Sequence, residues 1–385
     1  MKPFFKKKIS LFFSTVSLSY LMSSCSLNFV VINTRGSSAV QPFMDALSEL
    51  YAKYAPVEIS VQAGGSTTGI ISVLDGTTNI GNASKSPRDQ ILANHRSVQE
   101  WKDLQVKTVT LAKDAIAIIY KKPANTSASD FYLDANNIDK MYDAFAGYDT
   151  VSLSDFYFGK NLNGNYNVVP FARAGGASVS GTAEAFLHNS GLIKDDQINK
   201  KTLDALKGKI DYGSHTITTG ESNIETYNFF KTNARLVGSM TYLSLGFIIN
   251  NLTLIKNDGF DLLNYKVDDK VIVPSIQSVS DGDYRWIRPY NSIFSLSNKD
   301  ESRLNSIKQF IKFILFDNKP DVRKRIEDIY QAQGLITLSD KDLKKMFLLN
   351  DGLKNMSSQE LIQKHEDAFW VSDYSFDPVR FGVEF

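Results

Sequence analysis

NFVVINTRGSSAVQPFMDALSELYAKYAPVEISVQAGGSTTGIISVLDGTTNIGNAS, residues 28–84, alternates two kinds of apolar pattern. Residues 28–34 are apolar and β-branched, as in a strand, and 41–54 carry the 3.6-residue period of a helix. Residues 57–62 alternate like a strand, 69–74 resume a helix, and 79–84 read as a strand running into a loop. A β-α-β-α-β order predicts an α/β fold with a mainly parallel sheet flanked by helices. Ligands of such sheets sit beyond the carboxyl ends of the strands, where the connecting loops fall.

Those loops share a composition. Gly36-Ser37-Ser38-Ala39 precedes Pro42-Phe43-Met44, and Gly64-Gly65-Ser66-Thr67-Thr68-Gly69 precedes Ile70-Ile71. A third, Ser178-Val179-Ser180-Gly181-Thr182, precedes Ala183-Glu184-Ala185-Phe186. The first turn of a helix leaves backbone N–H groups unpaired and carries partial positive charge. Serine and threonine add hydroxyl donors, and glycine lets the backbone approach an anion. One such loop is an ordinary helix cap. Three in one chain, with Arg173 just upstream of the last, predict a site that surrounds a small oxyanion.

Farther along, 106–120 is a long apolar stretch interrupted by Lys113-Asp114, suited to pass from one lobe to the next, and 287–297 suits the return. Residues 125–150 are polar, with an aromatic Phe131-Tyr132 pair, and read as an insertion; 166–171 form a strand ending at Arg173. The lysine-rich 192–213 read as a solvated helix and turn, and 239–250 are apolar again. Residues 304–316 form an amphipathic helix with Ile307, Phe310, Ile311 and Ile314 on one face.

The length of 385 residues suits two lobes, and 43% hydrophobic with 22% charged residues is an ordinary globular composition. Lys2, Lys6, Lys7 and Lys8 precede an apolar run at 9–21 diluted by serines, then Met22-Ser23-Ser24-Cys25. The run is short of the roughly 20 residues that span a bilayer and fits a secretory signal over 1–24. Without those four lysines, 39 basic residues face 42 acidic ones, a net charge of −3. That balance disfavours nucleic-acid binding and requires any anion to be held by local donors. Cys25 is the only cysteine, so neither an intramolecular disulfide nor a cysteine zinc cluster can form. The segment is similar to a bacterial lipoprotein signal, with Cys25 as the lipidation point; an uncleaved anchor or cleavage elsewhere are the alternatives.

Taken in order from about residue 32 to 338, the chain resembles the substrate-binding lipoproteins of bacterial phosphate ABC transporters. Arg35-Gly36-Ser37-Ser38 with Pro42 looks like that family's first phosphate loop, and Gln62-Ala63-Gly64-Gly65-Ser66-Thr67-Thr68-Gly69 like its second. Gly76 to Lys85 is similar to a strand and loop that normally read Asp-Ile-Gly-Met-Ala-Ser-Arg. Leu153 to Lys160 resembles a helix-and-turn landmark, and Arg173 with Ser180-Gly181-Thr182 resembles the Arg…Ser-Gly-Thr loop. Glu221-Ser222-Asn223, 238–246 and Arg288-Pro289-Tyr290 complete the series. The third loop is longer than usual and lacks an acid two positions after the arginine; Asn79 stands where an acid is frequent, and 341–385 have no counterpart.

The resemblance implies a two-lobed periplasmic-binding-protein fold of the type II kind. Residues 25–113 with 290–385 would form one lobe and 114–289 the other. It implies a membrane-anchored, extracytoplasmic monomer that binds inorganic phosphate unchanged and delivers it to an ABC permease, with no cofactor, metal or nucleic acid. The phosphate ligands it implies are Ser37, Ser38, Ala39, Ser66, Thr67, Ser84, Asp114, Arg173, Ser180, Gly181 and Thr182. A carboxylate that accepts the phosphate proton would repel sulfate. Asp114 is the candidate acceptor, or else a residue that caps or pairs with a lysine at the crossing. Arg173 would supply paired donors, or else stabilise a surface or hinge. Ser37 and Ser84 serve as ligands or as loop formers; Asn223 braces a closed form or forms a turn. An enzyme is disfavoured: there is no Gly-x-x-x-x-Gly-Lys-Ser/Thr, no supported Gly-x-Ser-x-Gly, and His95, His188, His215 and His365 are scattered. A surface antigen or adhesin on the same fold, or a sulfate or molybdate receptor, is the alternative. The tail aromatics Phe369, Trp370, Tyr374, Phe376, Phe381 and Phe385 either pack on the first lobe or serve such a surface role.

Overall fold

A computed structural model describes residues 29–160 and 162–372. The signal segment 1–24, Cys25, Tyr374, Phe376, Phe381 and Phe385 lie outside the described residues.

The opening segment alternates as its pattern requires: β1 (Val30–Gly36), α1 (Gln41–Tyr51), β2 (Val57–Ala63), α2 (Ser66–Leu74) and β3 (Ile80–Ala83). β1 pairs in parallel with both other strands, Val30 opposite Val57 and Thr34 opposite Ile80. α1 turns Phe43, Met44, Leu47 and Leu50 onto the sheet. α2 lies closer still: a Cβ on Gly69 would come within 2.6 Å of the Arg35 carbonyl oxygen, so only glycine permits this contact between helix and strand. The close contact holds the start of α2 beside the end of β1, where two of the three hydroxyl-rich loops meet.

β4 (Val106–Tyr120) is 15 residues long and changes partners midway. Val106–Ala115 pair antiparallel with Ile287–Ser295, and Ile116–Tyr120 pair antiparallel with Ser239–Ser244. Among the described residues the main sheet has nine strands; its order runs β2, β1, β3, Ile287–Ser295, β4, Ser239–Ser244, Val169–Arg173, Ile217–Thr219, with Asp261–Leu262 also on β4. The two strands that cross, β4 and Ile287–Ser295, are thus the middle of the sheet.

The apolar core divides at the same place. Ile32, Val109, Leu111, Phe294, Phe310 and Ile314 belong to one cluster; Ile116, Ile118, Phe145, Phe186, Tyr242 and Trp286 belong to another. The helix Glu301–Phe316 buries Ile307, Phe310, Ile311 and Ile314, each worth about 1.5–3 kcal/mol relative to exposure. Residues 125–150 differ from expectation. They contain the helix Ile138–Ala146, whose Met141, Tyr142 and Phe145 are buried while Asp139 and Lys140 face outward. The polar composition belonged to one face of an amphipathic core helix. The chain beyond residue 338 packs on the first cluster: Phe369 is buried against Phe316 and Phe347, Lys107 donates to the Met346 carbonyl at 2.8 Å, and Lys113 pairs with Asp342 at 2.7 Å.

Candidate functional site

The three loops converge. Ser37, Ser38 and Ala39, then Gly65 and Ser66, then Val179 to Thr182, line one narrow pocket together with Glu221. Each loop runs into a helix: α1, α2, and Gly181–His188. The first turns of α1 and α2 contain no acidic residue, so nothing within them offsets the positive helix ends. The reason for the convergence is topological. β1 and β3 end side by side, and the Gly181–His188 helix follows the strand Val169–Arg173 on the far side of the crossing.

Hydroxyls form the floor. Ser84 shares hydrogen bonds with Ser37 Oγ at 3.0 Å and Ser66 Oγ at 3.4 Å, and its N–H donates to Ser66 Oγ at 3.1 Å. Ser180 caps its helix by accepting the Ala183 N–H at 3.3 Å. A Cβ on Gly181 would overlap the Ser84 hydroxyl, so a bare α-carbon is what lets loops from the two core clusters meet. Of the residues expected at the site, seven line the pocket: Ser37, Ser38, Ala39, Ser66, Ser180, Gly181 and Thr182.

Four others are placed elsewhere. Ser84 holds the lining serines Ser37 and Ser66 without itself lining the pocket, and Thr67 donates its hydroxyl to Gln90 Oε1. Asp114 is fully buried at the crossing. Its carboxylate accepts from Arg288 Nε at 2.9 Å and Nη2 at 2.7 Å, Ser244 Oγ at 2.8 Å, Tyr290 O–H at 3.1 Å and the Ala115 N–H at 2.8 Å. That set leaves no room for a phosphate hydroxyl; the carboxylate on the pocket wall is instead that of Glu221. Arg288 extends the network by donating from Nη1 to Thr182 Oγ1 at 3.0 Å, so Asp114 braces the third loop through it. Burial disfavours the Arg288 charge, but Asp114 more than offsets this and raises its pKa.

Arg173 sits one layer behind the wall. Its guanidinium donates to the Glu221 carbonyl and to Asn223 Oδ1, the latter at 2.7 Å. Nε is buried with no acceptor, and among the described residues no carboxylate lies within ion-pair distance. Burial pulls its pKa down to about 10, with the nearby Arg288 charge adding to the effect and Tyr242, Glu225 and Glu221 opposing it. An uncompensated guanidinium is expensive to bury. Here Glu221 and Glu225 offset it only through space, without an ion pair.

Lys85, Gln90 and Glu184 were not foreseen as site residues. Lys85 is buried and donates to the carbonyls of Ala177 and Ser178, and Gln90 Nε2 donates to Glu184 Oε1 at 3.3 Å. Burial lowers the Lys85 pKa, against the pull of Glu184. Both contacts tie the start of the chain to the third loop. The signal for Lys85 was positional: it follows Ser84, where the resemblance places an arginine. Among the described residues no cluster of three His, Cys, Asp or Glu could hold a metal.

A family model described as a PBP superfamily domain matches residues 26–318. The chain is 40% identical to an uncharacterized lipoprotein of Mycoplasma genitalium, over 98% of this chain and 99% of that one. Its fold is similar to an ABC-type phosphate transport receptor of Vibrio cholerae: TM-score 0.52, 20% identity, 80% of this chain and 100% of that one. It is also similar to a human phosphate-binding apolipoprotein, with TM-score 0.58, 13% identity, and 83% and 94% coverage.

Proposed function

The chain belongs to the PBP superfamily, and on that premise we propose that it is a membrane-anchored solute-binding protein that captures inorganic phosphate between two lobes and passes it to an ABC permease. One observation carries the reading: the buried Arg173 guanidinium forms no ion pair and leaves Nε without an acceptor, directly behind a pocket lined by hydroxyls and helix N-termini. A bound oxyanion adds negative charge there. Ser37, Ser38, Ser66, Ser180 and Thr182 donate hydroxyls, Ala39 and Gly181 donate N–H groups, and Arg173 neutralises from behind. Thr67 and Ser84 order the loops. The phosphate receptors named above lend support through the fold they share with this chain.

In this reading the lobes are 25–113 with 290–385, and 114–289, hinged where β4 and Ile287–Ser295 cross. An open form admits the ion. Closure brings the third loop onto the first two, strips water from the anion and forms the Lys85 and Gln90 contacts. The permease engages the closed form, so it receives loaded protein. Lipidation at Cys25 holds the molecule at the outer face of the membrane, in keeping with the lipoprotein relative. The ligand leaves unchanged.

Isothermal titration of anion-stripped protein with phosphate and then sulfate tests the reading. Saturable one-to-one phosphate binding is expected. No heat with either ion would overturn it, and equally tight sulfate binding would remove the phosphate assignment while keeping an oxyanion receptor.

A further inference from the structure

Beside the oxyanion pocket lies a second, larger one of about 230 Å³. Ser38, Ala39, Thr182 and Glu221 line both, so the two adjoin. The second pocket is a little smaller than the roughly 300–1,000 Å³ of drug-sized ligand sites, which suits a small ligand.

Its walls are specific in kind. Asn250, Asn251 and Gln333 present side-chain amides beside the rings of Phe247 and Tyr290. Asn250 Nδ2 donates to the Ala332 carbonyl and Asn251 Nδ2 to the Phe247 carbonyl, which leaves both Oδ1 atoms as acceptors. The amide of Gln333 has no hydrogen-bond partner among the described residues. An amide both donates and accepts, which matches a hydroxyl group, and aromatic faces suit the C–H side of a polyol. Phosphate oxygens, by contrast, want donors alone.

The state of Asp114 points the same way. Hydrogen phosphate carries a proton that a carboxylate would accept; Asp114 is filled by Arg288, Ser244 and Tyr290, which leaves Glu221 as the one carboxylate lining both pockets. A phosphate monoester is mostly doubly ionised at neutral pH, its second pKa being about 6, and so needs no such acceptor. Glu221, at the junction, can accept a hydroxyl of the alcohol.

We propose that the preferred ligand is a phosphate monoester of a small polyol. Its phosphoryl group lies among the three loops, and its hydroxylated body lies against Asn250, Asn251 and Gln333. The proposal rests on the oxyanion reading above, and the test separates the two. The full chain, purified in detergent, is titrated with inorganic phosphate, glycerol 3-phosphate and ribose 5-phosphate, as wild type and as Gln333→Leu. At least one monoester is expected to bind tenfold or more tighter than phosphate. Gln333→Leu should remove about tenfold of that advantage and leave phosphate binding unchanged, because its amide supports no other residue. Phosphate binding with monoesters equal or weaker overturns this proposal and leaves the phosphate receptor standing. An equal effect of Gln333→Leu on all three ligands also overturns it. No binding of any of them removes the oxyanion reading, and this proposal with it.

Discussion

Arg173 and Arg288 are both buried, and the structure gives them opposite roles that one pair of variants can separate. Arg288 is neutralised by Asp114 at 2.7 Å, whereas Arg173 has carbonyl and amide acceptors only. Asp114→Asn leaves a buried guanidinium uncompensated, which costs about 3–5 kcal/mol of stability with or without ligand. Arg173→Gln loses two charge-assisted hydrogen bonds of about 1.5–3 kcal/mol each but removes an ion whose burial costs several kcal/mol, so the empty protein should lose much less stability than with Asp114→Asn. The deficit should appear in binding. A unit charge one residue layer away, roughly 6–8 Å at an effective dielectric of about 20, is worth about 2–3 kcal/mol, or about 30–150-fold in Kd. Unfolding is followed with and without phosphate at about 1,000 times the wild-type Kd, where wild type gains about 4.1 kcal/mol. A variant weakened about 100-fold gains about 1.4 kcal/mol at the same concentration. Arg173→Gln that keeps the full phosphate gain, or that destabilises the empty protein as Asp114→Asn does, would refute the reasoning.

Other expectations follow from the same geometry. Gly181→Ala should weaken phosphate binding at least tenfold in calorimetry, because its methyl group would occupy the position of the Ser84 hydroxyl; unchanged affinity would show that the loops do not close on one another. Burial opposes ionisation of Asp342, yet hydrogen bonds from Lys113 and Ser339 hold its carboxyl below its ordinary value of 3.8. A depressed folded pKa stabilises fully above the unfolded value and is lost as pH falls through the folded one. Asp342→Asn should therefore cost about 1.5–3 kcal/mol at pH 7, with the gap to wild type closing below about pH 3, as read by urea unfolding at both pH values. Cys25→Ser should release the protein from the membrane fraction into the medium; retention in the membrane would end the lipid-anchor proposal.

Much of the site was readable as local pattern. Ser37, Ser38, Ser66, Ser180 and Thr182 stand in loops whose glycines and following apolar periods announce helix starts, and all five line one pocket. Helix and strand periods are short-range properties, set by how neighbouring side chains share a face, so residues 28–84 were enough for a parallel sheet with loops at one end. The helix Ile138–Ala146 was missed within its polar stretch because Asp139, Lys140 and Asp143 interleave with Met141, Tyr142 and Phe145, and composition averages the two faces.

The partners of charged groups were decided by tertiary structure alone. Asp114 meets Arg288 from 174 positions away, and Lys85 reaches the Ser178 carbonyl across 93. No local spacing encodes those encounters; they follow from the way β4 and Ile287–Ser295 cross in the middle of the sheet. The sequence by itself determined which residue types could surround an oxyanion and where their helices begin. Tertiary structure decided which arginine is paired and which is left without an ion pair, because a buried charge is defined by the groups that closure of the chain brings around it.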